Sequence, residues 1–226
     1  MRKEVGRKIE MALRVRDFSR SHPFTDPSAL AVLARFEERL TRAEALAVEQ
    51  RTGQLAAIAA NARRNQLRDT PLTTLLRHLA HVATEAKDTP ELAGKFRLPP
   101  QDGSHQAFLA AARGMIKEAD GTRDLLVGRG MPEAMLADLG QALAHYEAAG
   151  EAANAAKGQR IGATLDLDAV IKEVMGAVGL LDGINKYRFR DDSETLAVWS
   201  NLTNVIGPRT KPEVPPAQEG GLPSAA

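Results

Sequence analysis

Apolar residues recur along most of this chain three and four positions apart, the spacing that lines one face of an α-helix. Period-2 alternation never lasts more than a few positions, so strands are not expected. The chain reads as all-α. Val5, Ile9 and Leu13 form a stripe that predicts a first helix over about 3–18. Residues 21–27 read as a loop ending with Asp26 as an N-cap. Pro27 then takes the first helical position, where its missing N–H leaves nothing unsatisfied. From there to about Lys87 the helical pattern hardly pauses. Leu33, Phe36, Leu40 and Ala43 are spaced 3, 4 and 3 apart, and Leu72, Leu75, Leu79 and Val82 repeat the rhythm. Pro71 is the one clear interruption and predicts a kink or a restart.

Residues 88–103 form a long connector for a bundle, and Leu92, Phe96 and Leu98 predict that it lies against the helices. Ser104 is placed to cap a helix over about 105–127, and Gly128-Arg129-Gly130 reads as a tight turn. Pro132 opens a second long helix over about 131–188. It carries Leu136, Leu139, Leu143 and Tyr146, then Ile171, Val174, Val178 and Leu181. Gly158, Gly162 and the 164–168 stretch are candidate breaks within it. A short amphipathic helix follows over about 193–205. From Gly207 onward five prolines and no apolar periodicity predict a disordered Pro/Gly-rich tail, 207–226, behind a single helical-bundle domain, 1–206.

Both long helices have middles built mostly of small residues, 53–62 in one and 148–158 in the other. An antiparallel pairing with Pro27 beside Tyr187 and Lys87 beside Met131 makes these stretches coincide and sets Asn61 opposite Asn154. Small side chains would let the two backbones approach closely there. A continuous 60-residue helix would be roughly 90 Å long at 1.5 Å per residue. The expected architecture is therefore an elongated antiparallel helical bundle built on two long helices, with shorter helices packed at each end. The alternative breaks both helices, at Pro71 and near Gly162, into a compact five-to-seven-helix bundle. Gln50-Arg51-Thr52-Gly53 and Gln159-Arg160-Ile161-Gly162 hint at a duplication with equivalent glycines.

Composition narrows the chemistry. Among 226 residues there is no cysteine, which excludes a disulfide framework, a thiolate metal site and a cysteine nucleophile. Thirty basic residues against 29 acidic ones leave a net charge of +1, not that of a polyanion-seeking chain. No apolar run approaches the roughly 20 residues needed to span a bilayer, and the charged start never reaches a signal-type apolar core. A cytoplasmic protein is expected.

Few residues invite a chemical role. His78, His81 and Glu85, at i, i+3 and i+7, share one helical face and form the best metal-ligand arrangement. Their further ligands would have to come from His105 or His145. Two histidines flanking an apolar stripe near a helix end explain the same pattern without a metal. Arg63, Arg64 and Arg68 cluster with Lys157 and Arg160 and could meet phosphates, yet no aromatic residues interleave with them for base stacking. Tyr187, Phe189 and Trp199 hold three of the nine aromatics and offer a docking surface. The stronger reading has them closing a core around Phe18, Phe24 and Phe36. Phosphate-loop, dinucleotide and nucleophile-elbow motifs are missing, no cofactor is implied, and an enzyme is the less favoured class.

These patterns favour a non-catalytic helical scaffold or interaction protein whose partner is another protein or a second copy, with the proline-rich tail as linker or docking segment. A ligand- or metal-binding bundle is the alternative. An electrostatic nucleic-acid binder is the second alternative.

Overall fold

A computed structural model describes residues 2–85, 89, 92, 94–100 and 103–205, which form helices and connections with no strand among them. The helices are α1 (Lys3–Ser21), α2 (Pro27–Leu67), α3 (Thr73–Glu85), α4 (His105–Gly121), α5 (Arg123–Gly128), α6 (Met135–Arg188) and α7 (Ser193–Leu202), with a π-helical turn, Arg68–Leu72, joining α2 to α3. The protein is an all-α helical bundle with two long helical runs. Its contacts divide into two compact units, Met1–Glu44 with Leu167–Ala226 (unit 1) and Ala45–Asp166 (unit 2). The tail expected over 207–226 lies outside the described residues.

Unit 1 is built from large side chains at helical spacing. Val5, Ile9, Ala12, Val15 and Phe18 of α1 are buried, as are Phe36 and Leu40 of α2 and Leu167, Ile171, Val174, Val178 and Leu181 of α6. Asp26 caps α2 by accepting from the Ala29 N–H at 3.3 Å and from the Ser28 hydroxyl. Asp192 caps α7 by accepting from the Thr195 N–H at 3.0 Å. Trp199 of α7 is fully buried, 5.1 Å from the Phe18 ring, and its indole N–H donates to Asp182 Oδ1 at 2.9 Å. A buried indole needs that partner, because an unpaired donor would offset much of what the ring gains by leaving water. Burial pushes the Asp182 carboxyl up, but the hydrogen bonds from Lys186 and Trp199 and the Lys186 charge outweigh it and hold the group below the ordinary aspartate value.

Unit 2 has a separate core. Leu72, Leu76, Leu79 and Val82 face Phe108, Ala112, Met115 and Ala119 of α4, Leu126 of α5, and Met135, Leu139, Ala142 and Tyr146 of α6. Leu92 and Phe96 join this core, as expected of those two residues, whereas Leu98 is exposed. Ser104 caps α4 through the Ala107 N–H. The segment expected as one helix over 105–127 is interrupted at Thr122, whose N–H bonds to the Ala119 carbonyl and whose hydroxyl bonds to Glu118.

The two long runs of the expected architecture continue past both candidate breaks, with the α-helix interrupted only by a π-helical turn at Pro71. Pro71 lacks an N–H and its ring crowds the preceding turn, and the chain answers by widening that turn instead of ending it. The Thr73 N–H reaches the Arg68 carbonyl, five residues back, and the Thr73 hydroxyl bonds the same oxygen at 2.6 Å. At the other site α6 runs unbroken through Gly158 and Gly162, and Thr164 turns its hydroxyl back to the Arg160 carbonyl at 2.7 Å. The start of α6 falls after Pro132, because 132–135 form a turn closed by the Met135 N–H on the Pro132 carbonyl.

Candidate functional site

Within unit 2, α2 and α6 pair through small residues. On α2 the inward positions are Leu46, Gln50, Gly53, Ala57, Ala60, Arg64 and Leu67, alternating by 4 and 3, and all are buried or half-buried. On α6 the matching set is Ala142, Tyr146, Ala149, Ala153, Ala156 and Ala163. This is the heptad rhythm of paired helices, with alanine and glycine where larger residues usually stand. Gly53 permits the approach: a Cβ there would lie 3.2 Å from the Arg160 nitrogen and 3.3 Å from the Ala156 oxygen. Gly162 meets nothing, so the two glycines of the suspected duplication are not equivalent. Gln50 donates to the Thr164 hydroxyl at 2.6 Å, a polar pair that fixes the register. With Gln50 at Thr164 and Arg64 at Gly150, the register is offset by about two residues from the expected one. Asn61 and Asn154 are both exposed rather than opposed, and Asn61 bonds its own helix at the Ala57 carbonyl.

The opposite face of α2 is apolar as well. Val48, Thr52, Leu55, Ala59 and Ala62 recur at 4, 3, 4 and 3 and are exposed, with Ile58 alongside them. Val48, Leu55 and Ile58 keep 66%, 51% and 58% of their surface open. No charged residue occurs from Thr52 to Ala62. On α6, Ile161 and Leu165 are likewise exposed. Helix faces turned to water ordinarily carry charge, and a heptad stripe of this length without it resembles a seam lacking its partner.

A second cluster gathers at the end of this pair. The Arg64 guanidinium lies 5.0 Å above the Tyr146 ring, in space that Gly150 leaves open, and its Nε has no hydrogen-bond partner among the described residues. Arg68 lies 4.7 Å above the Phe108 ring and donates to the Gly103 and Pro100 carbonyls. Tyr146 Oη and His105 Nδ1 are hydrogen-bonded at 2.8 Å. Burial, and after it the charges of Arg64 and Arg68, hold the His105 imidazole below the ordinary histidine value. Beside the π-helical turn, Arg68, Asp69, Thr73, Arg77, Pro99 and Phe108 border a cavity of about 350 Å³.

The residues singled out by sequence are distributed differently. His78, His81 and Glu85 are all exposed, and the described residues contain no group of three His, Cys, Asp or Glu side chains placed to hold a metal ion. Of the three suspected docking aromatics only Tyr187 is largely exposed. Phe189 is half-buried, its ring 6.0 Å from Phe18, and Trp199 belongs to the core. As a buried core residue, Trp199 presents no surface to a partner. Arg63 is exposed, but Arg64 and Arg68 are turned onto aromatic rings and do not line up with it as a phosphate-facing row. The outer α2 stripe was missed by sequence reasoning, although its signal was the uncharged stretch 52–62 itself. No protein-family model, curated protein or solved structure matches the chain. No helix among the described residues is long and apolar enough to cross a membrane.

Proposed function

We propose that this protein is a non-catalytic helical scaffold that works by pairing its helices with those of a partner chain. The observation that supports the reading is the exposed heptad stripe Val48, Thr52, Leu55, Ala59 and Ala62 on α2, opposite the stripe that packs on α6. A partner helix laid on this face would bury aliphatic side chains at roughly 25 cal/mol per Å² and displace water from a surface whose middle, Thr52 to Ala62, carries no charge. A photo-crosslinking residue placed at Leu55 should give discrete protein adducts in the expressing cell. The same residue at Lys117, exposed on α4, should not. Absence of adducts at Leu55, or equal adducts at both positions, would contradict the reading.

A second reading rests on the cavity beside the π-helical turn, since π-helical turns are frequent at functional sites and this one borders two arginines. A small anionic ligand would suit that lining. A panel of small carboxylates and phosphates should then raise the melting temperature of the wild type and not of Arg77→Ala. An unchanged midpoint throughout would remove the reading.

A further inference from the structure

The charges flanking the outer α2 stripe are asymmetric, and they select a partner. Written as a heptad with Val48, Leu55 and Ala62 at one seam position and Thr52, Ala59 and Gln66 at the other, the stripe has Glu49, Ala56 and Arg63 along one edge. Arg51, Ile58 and Asn65 lie along the other. All of these residues are exposed, and among the described residues neither Glu49 nor Arg63 has an ion-pair partner of opposite charge.

We infer that the occupant of this face is a second copy of the same helix, packed antiparallel about a two-fold axis near Ala56. This deepens the scaffold reading and rests on it. In that arrangement Leu55 packs on Ala59 of the second copy, Val48 on Gln66, and Thr52 on Ala62. The two copies of Ala56 meet at the axis, as do the two copies of Ile58. At each end Glu49 reaches Arg63 of the other copy, so the symmetry forms the ion pair twice. Arg51 falls beside the neutral Asn65. A parallel pair would instead set each edge against the opposite edge of the second copy, with Arg51 beside Ala56 and Ile58 beside Arg63, so that no Glu49–Arg63 pair forms. The small residues at the centre fit the same geometry, because Ala56 and Ala59 let the two helices approach closely around the larger Leu55 and Ile58. The complementarity is therefore carried within one helix, and only an antiparallel copy satisfies both ends.

The chain contains no cysteine, which makes the test clean. Purified full-length protein should show a concentration-dependent dimer mass in light scattering and sedimentation. Ala56→Cys should form a disulfide-linked dimer under mild oxidation, whereas Lys117→Cys, on α4, should not. Glu49→Arg and Arg63→Glu should each weaken dimerisation about tenfold or more, roughly one broken ion pair at each of two ends. The Glu49→Arg/Arg63→Glu double variant should restore it. A chain that stays monomeric at every concentration, or a double variant no better than the single ones, would overturn the inference. If the purified chain is monomeric while the crosslinker at Leu55 captures a different protein, this inference fails and the scaffold reading stands. If neither association is found, both fail.

Discussion

In unit 1 the helices α2 and α6 bury Phe36, Leu40, Ile171, Val174 and Leu181, and α1 and α7 add Phe18 and Trp199 to the same core. In unit 2, over 46–64, α2 buries Leu46, Gln50 and Gly53 and half-buries Ala57, Ala60 and Arg64, while its reverse face leaves Val48, Leu55 and Ile58 open. The first arrangement buries large apolar side chains at nearly every inward position. The second gains close backbone approach and leaves aliphatic surface over. Their buried polar groups differ in the same sense. Gln50 is paired with Thr164, so it specifies register at little cost, whereas Asn185 of unit 1 is 1% exposed and neither of its side-chain polar atoms has a hydrogen-bond partner among the described residues.

The largest effect should come from removing the keystone of unit 1. Trp199→Ala should cost about 3–5 kcal/mol, the range for deleting a buried aromatic. Amide exchange should show the loss in α1, α7 and the unit 1 parts of the long helices before it reaches unit 2. A uniform loss across both units would break the comparison. Asn185→Leu should act in the opposite direction, raising stability by about 1–3 kcal/mol. A destabilised variant in thermal melts would show instead that the amide is satisfied. Glycines should sort by surroundings. Gly158→Ala and Gly162→Ala, with open space around them, should each stabilise by about 0.5–1 kcal/mol through helix propensity. Gly53→Ala should lose that gain, because its Cβ presses on the backbone of α6. Equal gains at all three positions would refute the close approach.

The smallest effect is a separation in pH. Because the folded-state value of His105 is depressed, its contribution is complete above the ordinary histidine value. As pH falls below about 6.5 the unfolded chain takes up the proton first, and that contribution is lost. Asp182 is depressed in the same direction, so its contribution is lost only below the ordinary aspartate range, near pH 4. Native-state exchange, corrected for intrinsic rates, should therefore loosen unit 2 at mildly acidic pH while unit 1 holds. His105→Gln should remove the difference, and identical pH profiles for both units in the wild type would contradict it.

Much of this was legible in the amino-acid order. The caps at Asp26 and Ser104, the two long helical runs and the anchoring of Leu92 and Phe96 all follow from local chemistry, which side-chain type and spacing report directly. Trp199 in a core around Phe18 follows from aromatic clustering. What the sequence left open was of another kind. Pro71 and Gly162 weigh against continuous helices by local preference, but the α-helix yields only to a π-helical turn at Pro71 and runs on through Gly162, because packing offsets a penalty of about 1–3 kcal/mol. Arg64 and Arg68 read as a basic patch because sequence shows charge and hides direction. Only the fold shows that both guanidinium groups lie on aromatic rings. The outer stripe escaped for a related reason. Over 46–66 the helix α2 carries apolar or small residues on two faces, and periodicity cannot say which of them another helix covers.

The claim that joins these points is that the outer face of α2 in unit 2 is an interface, while the exposed apolar residues of unit 1 are ordinary surface. Hydroxyl-radical footprinting of the full chain over a range of protein concentrations tests it most directly. The account predicts that Val48, Leu55 and Ile58 become protected as concentration rises while Tyr187, 73% exposed in unit 1, stays fully labelled. Labelling of the two sets that remains parallel at every concentration would contradict it.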